Sequence, residues 1–165
     1  MAVFEIRQAR AEDRIELAQM RAILWLDSTF EDHLREIDEY LSGSITSILP
    51  CTIFVAKEAG GLSGFLDVGL RSHADGCDPC RPVGFVEGWF VRDGHRNLGV
   101  GTALMRAAEE WARAHQCHEM ASDALVDNVD SQGAHQALGF EIVDRCVHFR
   151  KNLSMGKSIV VSKDE

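Results

Sequence analysis

The sequence predicts an α/β fold, a mixed and mostly antiparallel sheet flanked by helices on both faces. Three observations predict it. Strand-like segments cluster at 52–57, 63–70 and 83–91, with Gly60-Gly61 as a hairpin turn between the first two. Helical periodicity stands before and after that cluster. The resulting order is strand, two helices, an antiparallel meander, a long helix, strand, helix and strand, which is not the regular alternation of a doubly wound nucleotide fold.

Residues 3–7 read as a first strand. From Asp13 the spacing turns helical, with Ile15, Ala18, Ala22 and Trp25 on one face, joined by Leu24. Leu34, Ile37 and Leu41 predict a second, shorter helix. After the hairpin, a polar loop from Ser72 to Pro82 leads into the run Val83-Gly84-Phe85-Val86-Glu87-Gly88-Trp89-Phe90-Val91. The clearest helix follows. Val100, Ala103, Leu104, Ala107, Ala108, Trp111 and Ala112 form one apolar stripe, with Arg106, Glu109, Glu110 and Arg113 opposite. A short strand at 118–123 comes next. Asp130 or Ser131 is expected to cap a helix that Gly139 ends, and a last strand is expected from Phe140 to Arg150. The tail from Asn152 has little to bury and is expected to fray.

Composition sets the limits. At 165 residues, 45% hydrophobic and 26% charged, the chain suits one folded domain with its own core. No apolar run approaches the roughly 18 residues of a membrane span, and none resembles the core of a signal peptide, so a cytoplasmic protein without a membrane partner is expected. The 17 Lys+Arg against 26 Asp+Glu leave a net charge of −9, which argues against nucleic acid as the main partner and suits a cationic one. Six acidic residues between Asp27 and Glu39 face Arg35 alone, and Glu119 to Asp130 holds four acidic residues with no Lys or Arg. Five cysteines are an odd set and read as free thiols. Cys77-x-x-Cys80 with His73 upstream lacks a fourth ligand at zinc spacing, so no metal is expected.

The informative junction is Arg96-Asn97-Leu98-Gly99-Val100-Gly101, between a strand and the long helix. Glycines there let the backbone approach a ligand, and the first N–H groups of the helix favour an anion such as a pyrophosphate. No Gly-Lys-Ser/Thr follows, and the third glycine of the dinucleotide fingerprint is absent.

This loop resembles the Arg/Gln-x-x-Gly-x-Gly/Ala loop of the GCN5-related N-acetyltransferases (GNAT), over about 3–150. Within that superfamily the chain resembles the aminoglycoside 6'-N-acetyltransferases, through Gly76-Cys77-Asp78, Phe85 to Val91, Glu119-Met120-Ala121-Ser122-Asp123 and His135-Gln136-Ala137-Leu138-Gly139-Phe140. The resemblance implies a single acetyltransferase domain over 1–152, with 153–165 as a tail. It implies acetyl-CoA as co-substrate and direct transfer to the 6'-amine of a cationic aminoglycoside in a ternary complex, giving antibiotic resistance. A homodimer is implied in the same way. Two other functions stay open: a GNAT enzyme for another polyamine or a protein N-terminus, and a non-catalytic acyl-CoA sensor.

Transfer to an amine requires removal of the ammonium proton, orientation of the thioester and departure of a thiolate. Glu87, a carboxylate in an otherwise apolar strand, either points to solvent or serves the acceptor. The resemblance favours acceptor binding and proton removal. Asp123 ends the next strand and matches the superfamily's substrate-binding aspartate, and the base is not assigned between the two. The resemblance further places the pantetheine arm on Trp89, Phe90 and Val91, the phosphates on Arg96, Asn97, Leu98, Gly99, Val100, Gly101 and Thr102, and Asn128 near the thiol. For the acceptor it implies Trp25, His73 and, from a second subunit, Asp144. Where many members carry an acidic tyrosine this chain has His135, which reads as a neutral core or capping histidine.

Overall fold

The computed structural model describes residues 3–44 and 49–153. Strand β1 (Glu5–Gln8) runs through a single 3-10 turn into helices α1 (Arg14–Leu24) and α2 (Phe30–Leu41). Strands β2 (Cys51–Glu58), β3 (Gly61–Arg71) and β4 (Val83–Val91) follow. Helix α3 (Val100–Ala114), strand β5 (Met120–Ser122) and helix α4 (Val129–Ala137) complete the fold. The strands lie in the order β1-β2-β3-β4-β5, antiparallel except for the parallel β4–β5 pair.

Alternation along β3 explains why helices cover both faces. Phe65 joins Leu17, Ala18, Met20 and Ile37 in the α1/α2 layer, whereas its neighbours Leu66 and Val68 join Val100, Leu104 and Met105 under α3. A strand buried on both sides reads as a continuous apolar run, as β3 does. Helix α2 starts on a capping box: Thr29 Oγ1 accepts from the Asp32 N–H at 3.1 Å, and the Asp32 carboxylate accepts from the Thr29 N–H at 3.2 Å. The α3 stripe is as expected, with Met105 added to the buried set.

Three expectations are corrected. In α1 the buried residues are Leu17, Ala18, Met20 and Arg21, while Ile15 is exposed. The buried face is led by Leu17 and Met20, and it carries Arg21 to the buried Asp67. The cap of α4 is Asn128, whose Oδ1 accepts from the Ser131 N–H at 3.1 Å, two residues before the expected Asp130. Residues 140–150 form no strand. The nearest sheet edge, β5, is three residues long, and the segment leaves Val147 and Phe149 exposed. Within this chain it finds no ladder of its own length. Most of the expected tail, 154–165, lies outside the described residues.

Candidate active site

The site is built where β4 and β5 part. Their parallel pairing runs through Gly84–Met120, Phe85–Ala121 and Val86–Ser122 and stops there. On the other edge of β4 the register with β3 shifts at the same level, Asp67 facing Gly88 and Val68 facing Val86. Glu87 is therefore the extra residue of a β-bulge, which re-aims its side chain. Beyond it, Trp89, Phe90 and Val91 keep their pairing with β3 while their other edge has no strand among the described residues. An extended pantetheine arm could pair with such an edge through its amides.

The edge leads into the glycine loop. Arg96 donates from Nε to the Val91 carbonyl at 3.1 Å and pairs with Asp93 at 3.1 Å. Asn97 (φ 60°) and Gly99 (φ 85°) are both left-handed, and Gly99 is the N-cap of α3. The first N–H groups of α3 have no acceptor in the preceding turn of helix and present a positive end. Gly99 has open space around its absent Cβ. Gly101 serves another end: a Cβ there would stand 2.9 Å from Trp89 Cζ2. Leu98 is exposed and Val100 buried, so the loop offers backbone outside and an anchor inside. Thr102 follows in the first turn of α3. Together these features fit a pyrophosphate, which is what acetyl-CoA would bring.

Beside β5, a cleft of about 820 Å³ brings His73, Asp123 and Asp144 together with Arg71. Asp123 follows β5 directly and is exposed. Asp144 lines the cleft and accepts from the Arg145 N–H at 2.6 Å. His73 Nδ1 lies 3.1 Å from Ser72 Oγ. Glu87 and Trp25 are not in that cleft wall. Glu87 meets it through Arg71, which donates from Nε and Nη2 to its two oxygens at 3.0 and 2.6 Å. Trp25, just past the end of α1, packs against Phe65 and His33 and over Gly88.

Beneath Trp25 lies a polar cluster that sequence reasoning missed. Arg21 pairs with Asp67 and, at 3.4 Å, with Glu36. Burial pushes the Asp67 carboxyl up to about 6, against the pull of Arg21. The signal was present in principle, a charged residue inside an apolar strand, but nothing in one sequence pairs Asp67 with Arg21. The acidic run of α2 is also less bare than its composition, since Arg14 holds Asp38 and Arg21 holds Glu36.

His135 stands between Trp89 and Phe140, edge-on to both rings. Its Nδ1 lies 2.8 Å from the Ser131 carbonyl and its Nε2 2.9 Å from Ser122 Oγ. It is a packed, hydrogen-bonded histidine that ties α4 to β5. Asn128 caps α4 and is exposed. The cysteines carry no bridges, and burial raises the thiol pKa of Cys51, Cys77 and Cys117, which disfavours the thiolate needed by a metal or a nucleophile. Among the described residues no helix is long and apolar enough to cross a membrane.

The family described as Acetyltransferase (GNAT) family matches residues 17–140. Aminoglycoside N(6')-acetyltransferase type 1 of Klebsiella aerogenes is 40% identical over 148 residues, 90% of this chain and 96% of that protein. The structure of AAC(6')-Iy in complex with the bisubstrate analogue CoA-S-monomethyl-acetylneamine superposes with a TM-score of 0.81 at 34% identity, covering 92% of this chain and 99% of that one. The 6'-N-acetyltransferase AAC(6')-IG of Acinetobacter haemolyticus, free of ligand, superposes at 0.79 with 32% identity, covering 90% and 99%. The strand parting, the left-handed glycine at the head of α3 and these matches over nearly the whole chain have one explanation: this chain belongs to the GNAT acetyltransferase family.

Proposed function

We propose that this chain is an acetyl-CoA-dependent aminoglycoside 6'-N-acetyltransferase, and that it confers resistance to such antibiotics from the cytoplasm. The observation that carries the reading is the open edge of β4 running straight into the Gly99-capped helix, with the carboxylate of Glu87 at the bulge where that edge begins. Acetyl-CoA supplies the acetyl thioester. The chain's residues do the rest.

The Trp89–Val91 edge and the Arg96–Thr102 loop hold the co-substrate, with the helix end favouring its phosphates. Asp123 and Glu87 receive ammonium groups of the acceptor from two sides, with Trp25, His73 and Asp144 shaping its site. Two carboxylates near one ammonium would hold its proton, so one proton leaves by way of water to one of them before the neutral amine attacks, and the tetrahedral adduct gives up a second by the same route as the thiolate departs. The base stays unassigned between Glu87 and Asp123. The thiolate leaves to solvent, because His135 is committed to Ser131 and Ser122. Asn128 lies at the head of α4, where its amide could face the thiol as well as cap the helix.

One domain spanning 1–152 carries this activity, and the active form is a homodimer. Exposed Val147 and Phe149 and the one-sided pairing of β5 support the dimer. The reading is tested with Asp123→Asn. Acetylation of an aminoglycoside is expected to fall at least tenfold while acetyl-CoA affinity persists; unchanged kinetics would remove Asp123 from the site.

A further inference from the structure

Glu87, which the proposed function gives to the acceptor, already holds a cation of the chain's own. Arg71, the last residue of β3, grips both oxygens of Glu87 in a forked pair, at 3.0 and 2.6 Å. Its Cζ stands 3.3 Å from the centroid of the Phe85 ring. The guanidinium is thus held between a carboxylate and an aromatic face, as an acceptor's ammonium group would be. Arg71 and Glu87 are both near half exposed, 44% and 42% by side chain, and Arg71 borders the cleft that holds Asp123 and Asp144.

An ammonium that reaches Glu87 needs the oxygens Arg71 occupies. We propose that Arg71 is a built-in competitor for the acceptor: it occupies Glu87 until an acceptor ammonium displaces it, and so raises the affinity an acceptor must bring to reach Glu87. The proposal rests on the assignment of Glu87 to the acceptor. Displacement is feasible because Arg71 ends its strand, and swinging the side chain outward breaks the fork and the ring contact but no core packing. The chain has a reason to keep this cation. Glu87 is close enough to raise the proton affinity of buried Asp67, whose own counter-ion Arg21 is shared with Glu36. Arg71 keeps Glu87 from standing uncompensated near the buried Asp67.

Mass action sets the consequence: every acceptor that reaches Glu87 loses the same displacement factor, so a tetra-amine with further contacts still binds at working concentrations while a monoamine falls below them. Half-exposed ion pairs and cation–π contacts each correspond to factors of a few in binding, which gives roughly three- to tenfold for Arg71 as a whole.

The test is steady-state kinetics of the full chain at fixed ionic strength, with neamine as tetra-amine and 6-amino-6-deoxyglucose as monoamine. Arg71→Ala is expected to lower the acceptor KM roughly three- to tenfold, by a similar factor for both acceptors, with acetyl-CoA Kd unchanged. Arg71→Lys, which keeps the charge but not the fork, should fall between. In a Glu87→Gln background Arg71→Ala should have no effect on KM. A KM that rises or stays put in Arg71→Ala overturns the proposal, as does an equal gain with and without Glu87. If Arg71→Ala no longer binds acetyl-CoA, Arg71→Gln is judged by the same criteria. Glu87→Gln alone separates the two levels. If it leaves acceptor KM unchanged, the Glu87 assignment fails and the Arg71 proposal with it; if it raises KM while Arg71→Ala does nothing, only the proposal fails.

Discussion

Gly88 lies against the indole of Trp25 so closely that a Cβ at position 88 would stand 2.5 Å from Trp25 Cη2. The glycine lets the ring settle on the sheet beside the Glu87 bulge. Gly88→Ala should push the ring away, costing about 1–3 kcal/mol in stability by overpacking. The acceptor KM should rise several-fold while acetyl-CoA Kd holds. Denaturant unfolding and two-substrate kinetics check this; an unchanged acceptor KM would separate Trp25 from the acceptor site.

The Asp67–Arg21 pair makes a pH prediction. Burial raises the Asp67 carboxyl from an ordinary 3.8 to about 6, so between those values the folded state binds the extra proton. Stability from this group is therefore greatest below about 4 and declines as pH rises to about 6. Asp67→Asn removes the titration but leaves Arg21 short of a counter-charge. The stability of Asp67→Asn relative to the parent should then improve by about 1–3 kcal/mol from pH 4 to pH 7. A flat difference over that range would show that Asp67 titrates normally.

The two glycines of the loop should fail differently. Gly99 is at φ 85° with open space around it, so Gly99→Val strains the backbone by about 1–2 kcal/mol and should weaken acetyl-CoA binding at least tenfold. Gly101→Ala meets Trp89 instead and should lower Tm by several degrees through displaced packing. Calorimetric titration and thermal melts distinguish the two. Equal acetyl-CoA affinity in Gly99→Val and the parent would count against the phosphate loop.

His135 should matter to stability more than to chemistry. The Ser131 carbonyl can only accept, so Nδ1 donates to it, while Ser122 Oγ, which donates to the Val86 carbonyl at 3.3 Å, meets Nε2 at 2.9 Å. Removing the ring leaves Trp89 and Phe140 facing a void. His135→Ala should cost about 2 kcal/mol, with kcat within roughly fivefold of the parent. A hundredfold drop in kcat with the fold intact would make His135 the acid for the thiolate after all.

The contrast between what could and could not be read from the chain has physical causes. The α3 stripe from Val100 to Ala112 and the glycine that heads it are local features, so spacing alone exposes them. The same holds for the strand run of β4. The bulge at Glu87 is not local, because it depends on how β3 is registered against β4. Its pairing with Arg71 depends on the same register, because Arg71 ends β3 sixteen residues earlier in the chain. The last segment had a strand's composition, but β5 gives it an edge of three residues only. The family resemblance also grouped Trp25, His73, Glu87, Asp123 and Asp144 as one acceptor set. The fold places His73, Asp123 and Asp144 on one cleft, and Trp25 with Glu87 beyond Arg71.

The central claim is transfer from acetyl-CoA to the 6'-amine of an aminoglycoside. Its most direct test is free-thiol release from acetyl-CoA, measured with aminoglycosides matched except for a 6'-amine or a 6'-hydroxyl. Turnover of the 6'-amines alone is the predicted result. Equal turnover of both kinds, or of neither, would contradict it.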